Sequence, residues 1–202
     1  MVGAMEEWIY AFVQGFITLF IVFDPIGNIP LFQSFTSSFD EKKKKKVIND
    51  SVKIALIILA FFAIGGFYLL ELFRISIDDF RIAGGILLFI MAIEGLLGKE
   101  EARWISRDDV AIVPLATPLM AGPGSIYTVM YLMQLPNGPF ITFFALTGNV
   151  LLQWFLLLYS DRVLRMLGKS GSTILSRIMA FILAGIAISM IRMGLLGAYL
   201  SG

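Results

Sequence analysis

The sequence predicts an all-α integral membrane protein with six transmembrane helices, arranged as two inverted three-helix repeats. Three observations lead to this prediction: the composition, the spacing of apolar runs, and a pair of proline motifs. Hydrophobic residues make up 58% and charged residues 15% of the 202 residues, whereas soluble domains have about 45–50% and 25%. A soluble chain of this length could not bury so much apolar surface. Cys and His are both absent, which excludes disulfide-stapled folds, haem ligation and ordinary zinc sites.

Six apolar runs lie between the clusters of charged residues. Each is long enough to cross a membrane, which takes about 20 residues of helix. The first and fourth runs contain internal prolines, and the other four contain none. Because proline interrupts the hydrogen-bond ladder of a helix, we predict that the first and fourth helices are broken near the midplane. In chain order, the runs are 8–39, 47–70, 80–97, 110–135, 140–160 and 174–200.

The basic residues predict the orientation. Most of the 16 Lys and Arg side chains fall in or beside the first, third and fifth links between runs. Since such residues are enriched on the cytoplasmic side, both termini are predicted to lie on the outer side of a prokaryotic inner membrane. The net charge is only +1, and the clustering leaves no basic face for nucleic acid. The clusters are Lys42, Lys43, Lys44, Lys45, Lys46 and Lys53; Lys99, Arg103 and Arg107; and Arg162, Arg165, Lys169 and Arg177.

The two broken runs carry the same proline pattern. At 24–30 and at 117–123, the chain reads as a polar residue, a proline, four further residues and a second proline. We interpret the match as an internal repeat, with copies in 1–98 and 99–202 that together form one transmembrane domain. Three spans are an odd number, so the second copy enters the membrane from the opposite side. Inverted repeats with matching interruptions are typical of secondary transporters and place the binding site at the interruptions.

The prolines also predict how the breaks are built. Pro25 and Pro118 remove a backbone donor and bias the preceding residue away from helix, so the first half-helix should end near Phe23. Pro30 and Pro123 suit the first position of a new helix, which predicts second half-helices beginning there. Their unpaired N–H groups must line a cavity, because they cannot face lipid. The alternative is two kinks whose open groups are satisfied locally by side chains or water.

The residues at the breaks suit a zwitterion. Helix N-termini bind anions, while the carboxylate of Asp24 and the carbonyls of the first half-helix suit a cation. A carboxylate at the midplane costs several kcal/mol unless it is paired, neutralised or solvated, so Asp24 is also the candidate proton-coupling group. Equally, Asp24 can cap a helix by accepting the N–H groups of Gly27 and Asn28. Polar residues on the fifth run, such as Asn149 and Gln153, are interpreted as interhelical hydrogen-bonding groups.

Three stretches resemble the MarC/SnatA family: FDPIGNIPLF at 23–32, IVPLATPLMAGPGSI at 112–126 and RIAGGILLFIMAIE at 81–94. The resemblance implies a six-span inverted-repeat fold. For the SnatA branch it also implies proton-coupled transport of small neutral amino acids such as glycine and alanine. Thr117 departs from the aliphatic residue expected there. By motif position, the implied substrate-binding residues are Asp24, Gly27, Asn28, Ile29, Thr117, Ala121, Gly122, Gly124 and Ser125.

The favoured function is therefore a secondary transporter of small neutral amino acids. It works by alternating access around a midplane site at the two helix breaks, and it uses no cofactor or metal. The expected partners are the amino acid, a proton or other coupling ion, and the lipid bilayer. No phosphate-binding loop for ATP is present. A small-solute channel, or a family member with another small-metabolite substrate, stays the alternative. An intramembrane enzyme is disfavoured, because Ser125 has no His or Lys at its depth to activate it.

Overall fold

The computed structural model describes residues 2–36, 38–98 and 120–201. Within these ranges the chain forms α-helices and no β-strand, as the composition predicts. The helices are α1 (Val2–Phe23), α2 (Asn28–Thr36), α3 (Glu41–Leu72), α4 (Ile77–Leu97), α5 (Pro123–Met133), α6 (Gly138–Leu158) and α7 (Ser160–Ser201).

Five segments of the described chain are long and apolar enough to cross a membrane. They confirm the expectation of an integral membrane protein with several spanning helices. The first segment includes the break between α1 and α2. The fourth predicted run is described only from residue 120 onward, so the first half of that span lies outside the described residues. The five segments are Glu7–Gln33, Glu41–Leu72, Ile77–Leu97, Gly138–Leu158 and Thr173–Leu200.

The lysine run belongs to a helix rather than to a link. Helix α3 begins at Glu41, six residues before the predicted apolar run. Asp40 caps it, because its side chain accepts a hydrogen bond from the N–H of Lys43 at 2.8 Å. Lysine has a high helix propensity, so this polar turn can continue the apolar helix without a break. The positive charges therefore extend one end of a spanning helix.

Helix α7 also begins earlier than the sixth apolar run. It starts at Ser160 and contains one non-helical residue, Gly168, with φ 66° and ψ 168°. Glycine adopts this left-handed φ without the steric cost that a side chain would impose. The kink separates a short, charged first part from the long apolar part that follows.

Close glycine contacts join α4 and α7. A side-chain carbon on Gly85 would lie 2.9 Å from the carbonyl oxygen of Ala187, and one on Gly194 would lie 2.8 Å from that of Asp78. The residue number decreases from 85 to 78 along α4 while that of its partner increases from 187 to 194 along α7, so the two helices are antiparallel. Such close backbone approach is how membrane helices pack without large side chains.

Helix α5 lies between two packed groups. Val129 and Leu132 join the core formed by α1, α3 and α6, while Tyr127 joins the side chains of α4 and α7. Because α5 contacts both groups, its N-terminal end is held deep inside the molecule. This end carries the second proline motif.

Candidate functional site

The first break lies where the prolines predict it. Helix α1 ends at Phe23, and Asp24 follows with φ 42°, a left-handed conformation that stops the helix. Helix α2 begins at Asn28, two residues before Pro30. Pro30 therefore occupies the third helical position instead of the first. The missing N–H is still harmless there, because the first turn has no intrahelical partner for it.

The Asp24 carboxylate turns back onto the break. Its Oδ1 accepts a hydrogen bond from the N–H of Gly27 at 3.1 Å, while the carbonyl of Asp24 accepts one from the N–H of Asn28 at 3.0 Å. A side-chain carbon on Gly27 would overlap the carboxylate, so this arrangement requires glycine. The predicted bond from the Gly27 N–H to the Asp24 carboxylate is thus present. The proton-coupling and binding roles of Asp24 stay predictions.

Asn28 joins the two half-helices. Its Nδ2 donates to the carbonyl of Phe23 at 2.7 Å, and the residue is 3% exposed. This bond satisfies one of the carbonyls that a helix C-terminus leaves open. Ile29 is fully buried in the apolar core, so its side chain packs and only its main chain is left to contact a ligand. The first break is therefore largely satisfied from within.

The start of α5 is built differently. Gly122 is the N-cap and Pro123 the first helical residue, as predicted, but no side chain caps the helix. Ser125 is fully buried, and its Oγ has no hydrogen-bond partner among the described residues. Ala121 is also buried. Within the described residues, the N-terminus of α5 thus presents a buried hydroxyl without a partner at the positive end of a helix, which is an environment that attracts an anion.

The two helix ends lie side by side. A side-chain carbon on Gly124 would come within 2.8 Å of Val22 Cγ1, and Val22 belongs to the last turn of α1. The absence of a side chain at Gly124 lets the α5 start reach the α1 end. Thr117 and Pro118, the first residues of the second motif, lie outside the described residues.

Helix α6 carries two buried side-chain acceptors. Asn149 and Gln153 are one helical turn apart and each 1% exposed. Asn149 Nδ2 donates to the carbonyl of Phe16 at 3.1 Å, which confirms the expected interhelical bond. The carbonyl oxygens of both side chains have no donor within the described ranges. A cationic ammonium is a group that such buried acceptors can bind.

A cavity of about 390 Å³ adjoins the break on the side of the α1 N-terminus. It lies within the range of about 300–1,000 Å³ that small-molecule pockets occupy. We call it the Arg81 cavity. Thr128 connects it to the α5 start, because its hydroxyl donates to the carbonyl of Gly124 at 2.7 Å. The walls are Ala11, Gln14, Gly15 and Thr18 of α1; Arg81 of α4; Tyr127, Thr128, Tyr131 and Leu132 of α5, with Leu135 beyond it; and Ile186, Ser189, Met190 and Met193 of α7.

None of the predicted site residues within the described ranges lines this cavity. Asp24, Asn28 and Ser125 lie beside the helix ends instead. Conversely, the sequence interpretation did not single out Arg81 or Tyr127 as site residues, although Arg81 Nε donates to Tyr127 Oη at 2.7 Å. The available signal was an arginine inside an apolar run, spaced to pair with an aspartate one turn earlier. No cluster of carboxylates that could hold a metal ion occurs in the described part of the chain.

Comparisons with known proteins identify the family. A model of MarC family integral membrane proteins matches residues 9–199. The chain is 36% identical to a UPF0056 membrane protein of Methanocaldococcus jannaschii, over 94% of this chain and 98% of the relative. It is 32% identical to the UPF0056 membrane protein YvbG of Bacillus subtilis, over 93% and 95%. No solved structure matches the chain. With this match over nearly its whole length, the chain belongs to the MarC family of integral, multi-pass membrane proteins.

Proposed function

We propose that the protein is a secondary transporter of small neutral amino acids, glycine- or alanine-like, coupled to protons. The observation that supports the proposal is the buried start of α5, which lies against the end of α1 and carries a Ser125 hydroxyl with no partner among the described residues. A buried polar group without a partner costs about 1–3 kcal/mol. Such groups at a membrane helix interruption are expected when a ligand supplies the missing partner.

The proposal includes a six-span fold of two inverted repeats, 1–98 and 99–202. Exchanging the halves would replace α2 by α5, α3 by α6, and α4 by α7. Helix α5 packs against α3 and α4, and α2 packs against α6 and α7, so these contacts are exchanged in pairs. The α3–α6 and α4–α7 contacts map onto themselves. This pairing supports a pseudo-two-fold relation between the halves.

The two ends of a zwitterion have separate places in this proposal. The N–H groups at the start of α5 and the Ser125 hydroxyl would hold the carboxylate. Asp24 and the final carbonyls of α1 would hold the ammonium, and Asp24 would also carry the coupled proton. Gly122 and Gly124 leave room for a small substrate only, because the backbone itself forms the wall. Rocking of one repeat against the other would expose the site to each side in turn.

The orientation follows the positive-inside rule. Because the lysine run opens α3, that end of α3 is proposed to face the cytoplasm, in a prokaryotic inner membrane. The α1 N-terminus and the Arg81 cavity then lie on the outer side. The cavity wall runs from Ala11 to Thr18, about 8–18 Å along the helix from its end at Phe23. It would form the outer approach to the site.

Counterflow in proteoliposomes tests the proposal. Vesicles loaded with unlabelled glycine should take up external labelled glycine transiently and saturably, faster than empty vesicles do. Lowering the external pH should drive net uptake if protons are coupled. Equal entry with or without internal glycine, together with leak of unrelated small solutes, would indicate the channel alternative. Exchange of a different small metabolite, with none of glycine or alanine, would overturn the substrate class.

A further inference from the structure

We propose that Arg81 and Tyr127 form a second binding site, in the Arg81 cavity, that captures the carboxylate of the incoming substrate. This inference deepens the proposed function and rests on it for the identity of the substrate. The site itself is argued from the geometry of the cavity. It lies one helical turn or more to the outer side of the α5 start and is distinct from the groups at the breaks.

The guanidinium of Arg81 is held in place with donors to spare. Its Nε donates to Tyr127 Oη at 2.7 Å, and its Nη1 to Asp78 Oδ1 at 3.0 Å. Arginine carries five N–H donors in a fixed planar fork. The described residues offer no partner to Nη2 of Arg81. At least the two hydrogens on Nη2 are therefore available to a ligand.

Tyr127 provides a second donor next to the first. Its hydroxyl oxygen accepts the bond from Arg81, and its own hydrogen finds no acceptor within the described ranges. Both side chains line the cavity. A guanidinium and a hydroxyl that share one hydrogen bond can donate together to the two oxygens of a carboxylate, which is the geometry that arginine binds best.

The charge of the cavity selects an anion. Arg81 is the one charged residue on its described wall, and the other polar lining groups, such as Gln14 and Ser189, are neutral. Asp78 pairs with Arg81 and balances part of its charge, but it is not one of the residues that line the cavity. The side chains of Arg81 and Asp78 are 17% and 18% exposed. Because the guanidinium is largely shielded from solvent, its attraction for a carboxylate is weakened less than at an open surface.

Helix contacts fix the position of the pair. Asp78 is wedged against α7, where a side-chain carbon on Gly197 would overlap its carboxylate. Tyr127 stacks on Tyr131, with ring centroids 6.0 Å apart. Tyr131 also lines the cavity, where its ring would contact the ammonium of the same amino acid. Tyr127 lies about 4.5 Å along α5 from Gly124, so a captured substrate needs to advance by only about one turn.

Cysteine protection tests the site without relying on transport. The chain contains no Cys, so Ser189→Cys gives a single reactive thiol on the cavity wall. Acetate, as the carboxylate alone, should slow labelling by a neutral maleimide about threefold or more once it exceeds its dissociation constant. Acetamide, which has the same shape without the charge, should not protect. Adding Arg81→Gln should abolish the protection, and Arg74→Gln, an exposed outer-side control, should leave it intact.

Uptake kinetics separate the two proposals. Arg81→Gln should raise the KM for external glycine about tenfold or more, with Vmax within about twofold, because one charge-assisted hydrogen bond is lost. Arg81→Lys should recover part of this loss. The control Arg74→Gln should leave the KM for glycine unchanged. If glycine is exchanged but Arg81→Gln behaves like Arg74→Gln in both assays, the capture site is wrong and the proposed function stands. If acetate protects through Arg81 but no amino acid is exchanged, the site stands and the proposed function is wrong.

A variant that keeps the guanidinium tests the site even if Arg81→Gln does not fold. Tyr127→Phe retains the ring and its stacking on Tyr131 but removes the hydroxyl. It should raise the glycine KM about threefold to tenfold and weaken acetate protection by a similar factor, as expected for one neutral hydrogen bond. Unchanged protection and unchanged KM in Tyr127→Phe would overturn the assignment of Tyr127, even if Arg81→Gln cannot be purified.

Discussion

The two helix breaks share a proline pattern but satisfy their polar groups in different ways. At the first break, the Asp24 carboxylate accepts from Gly27, and the Asn28 amide donates to Phe23. At the start of α5, Gly122 supplies no side-chain cap and the Ser125 hydroxyl has no partner among the described residues. One break is closed by its own side chains, and at the other the described residues leave the Ser125 hydroxyl without a partner.

This difference indicates that the first break contributes to stability and the second to ligand binding. A group that already has a good partner inside the protein contributes to stability, whereas a buried group without one gains most when a ligand arrives. Substitutions at the first break should therefore mainly lower the free energy of unfolding. Substitutions at the start of α5 should mainly lower the affinity for the ligand. The variants below separate these effects, in order of decreasing expected loss of stability.

Gly27→Ala should be the most destabilising change. The added carbon would overlap the Asp24 carboxylate, so the carboxylate must leave the Gly27 N–H and the turn must open. We expect a loss of about 2–4 kcal/mol, in the range for substitutions that break a buried, strained turn. Gly65→Ala is the matched control, because a carbon there meets nothing within 4 Å. Thermal unfolding in detergent measures both, and equal midpoints would contradict the closed first break.

Asn28→Ala should come second. It removes the 2.7 Å bond to the Phe23 carbonyl and leaves that carbonyl open at a buried position. The expected cost is about 1–3 kcal/mol. Asn28→Asp is the informative companion, because its carboxylate cannot donate to the carbonyl. If both variants unfold at the midpoint of the unmodified protein, the amide does not hold the half-helices together.

The proline signals could be read from the sequence because their effect is local. A missing N–H acts on its own helix turn, so the end of α1 at Phe23 and the start of α5 at Pro123 followed from the prolines alone. The glycine at 27 could be expected to permit a turn. That a carboxylate fills the space left by its missing side chain depends on the φ of Asp24, which no sequence pattern fixes.

The Arg81 cavity could not be predicted in the same way. Arg81 and Tyr127 are 46 residues apart in the chain, and their bond exists only because α5 lies against α4. The sequence interpretation also placed the lysine run in a link, since charge was used to mark the ends of apolar runs. Helix propensity and the Asp40 cap continue α3 through it. Local chemistry was predictable, whereas tertiary contacts between helices were not.

Asp24→Asn should cost less stability than the first two changes. Asparagine retains an oxygen that can accept from Gly27, so we expect a loss of about 1 kcal/mol from replacing a charged acceptor by a neutral one. Its main effect should be on coupling. If Asp24 carries the proton, the variant still exchanges glycine in counterflow, but a pH gradient no longer drives net uptake. Retention of full pH-driven uptake would show that another group carries the proton.

Ser125→Ala should have the smallest effect on stability and a clear effect on binding. Removing a hydroxyl that has no partner among the described residues should change the free energy of unfolding by no more than about 0.5 kcal/mol, and the change can be in the stabilising direction. Substrate affinity should fall about tenfold, because a ligand carboxylate loses one donor in a buried site. Ser51→Ala is the matched control, since Ser51 is equally buried but its hydroxyl donates to the carbonyl of Val47 at 2.7 Å. Measured side by side, the control should change stability and leave glycine affinity unaltered. If Ser125→Ala leaves glycine affinity unaltered, the Ser125 hydroxyl does not bind the ligand's carboxylate, which must then lie elsewhere.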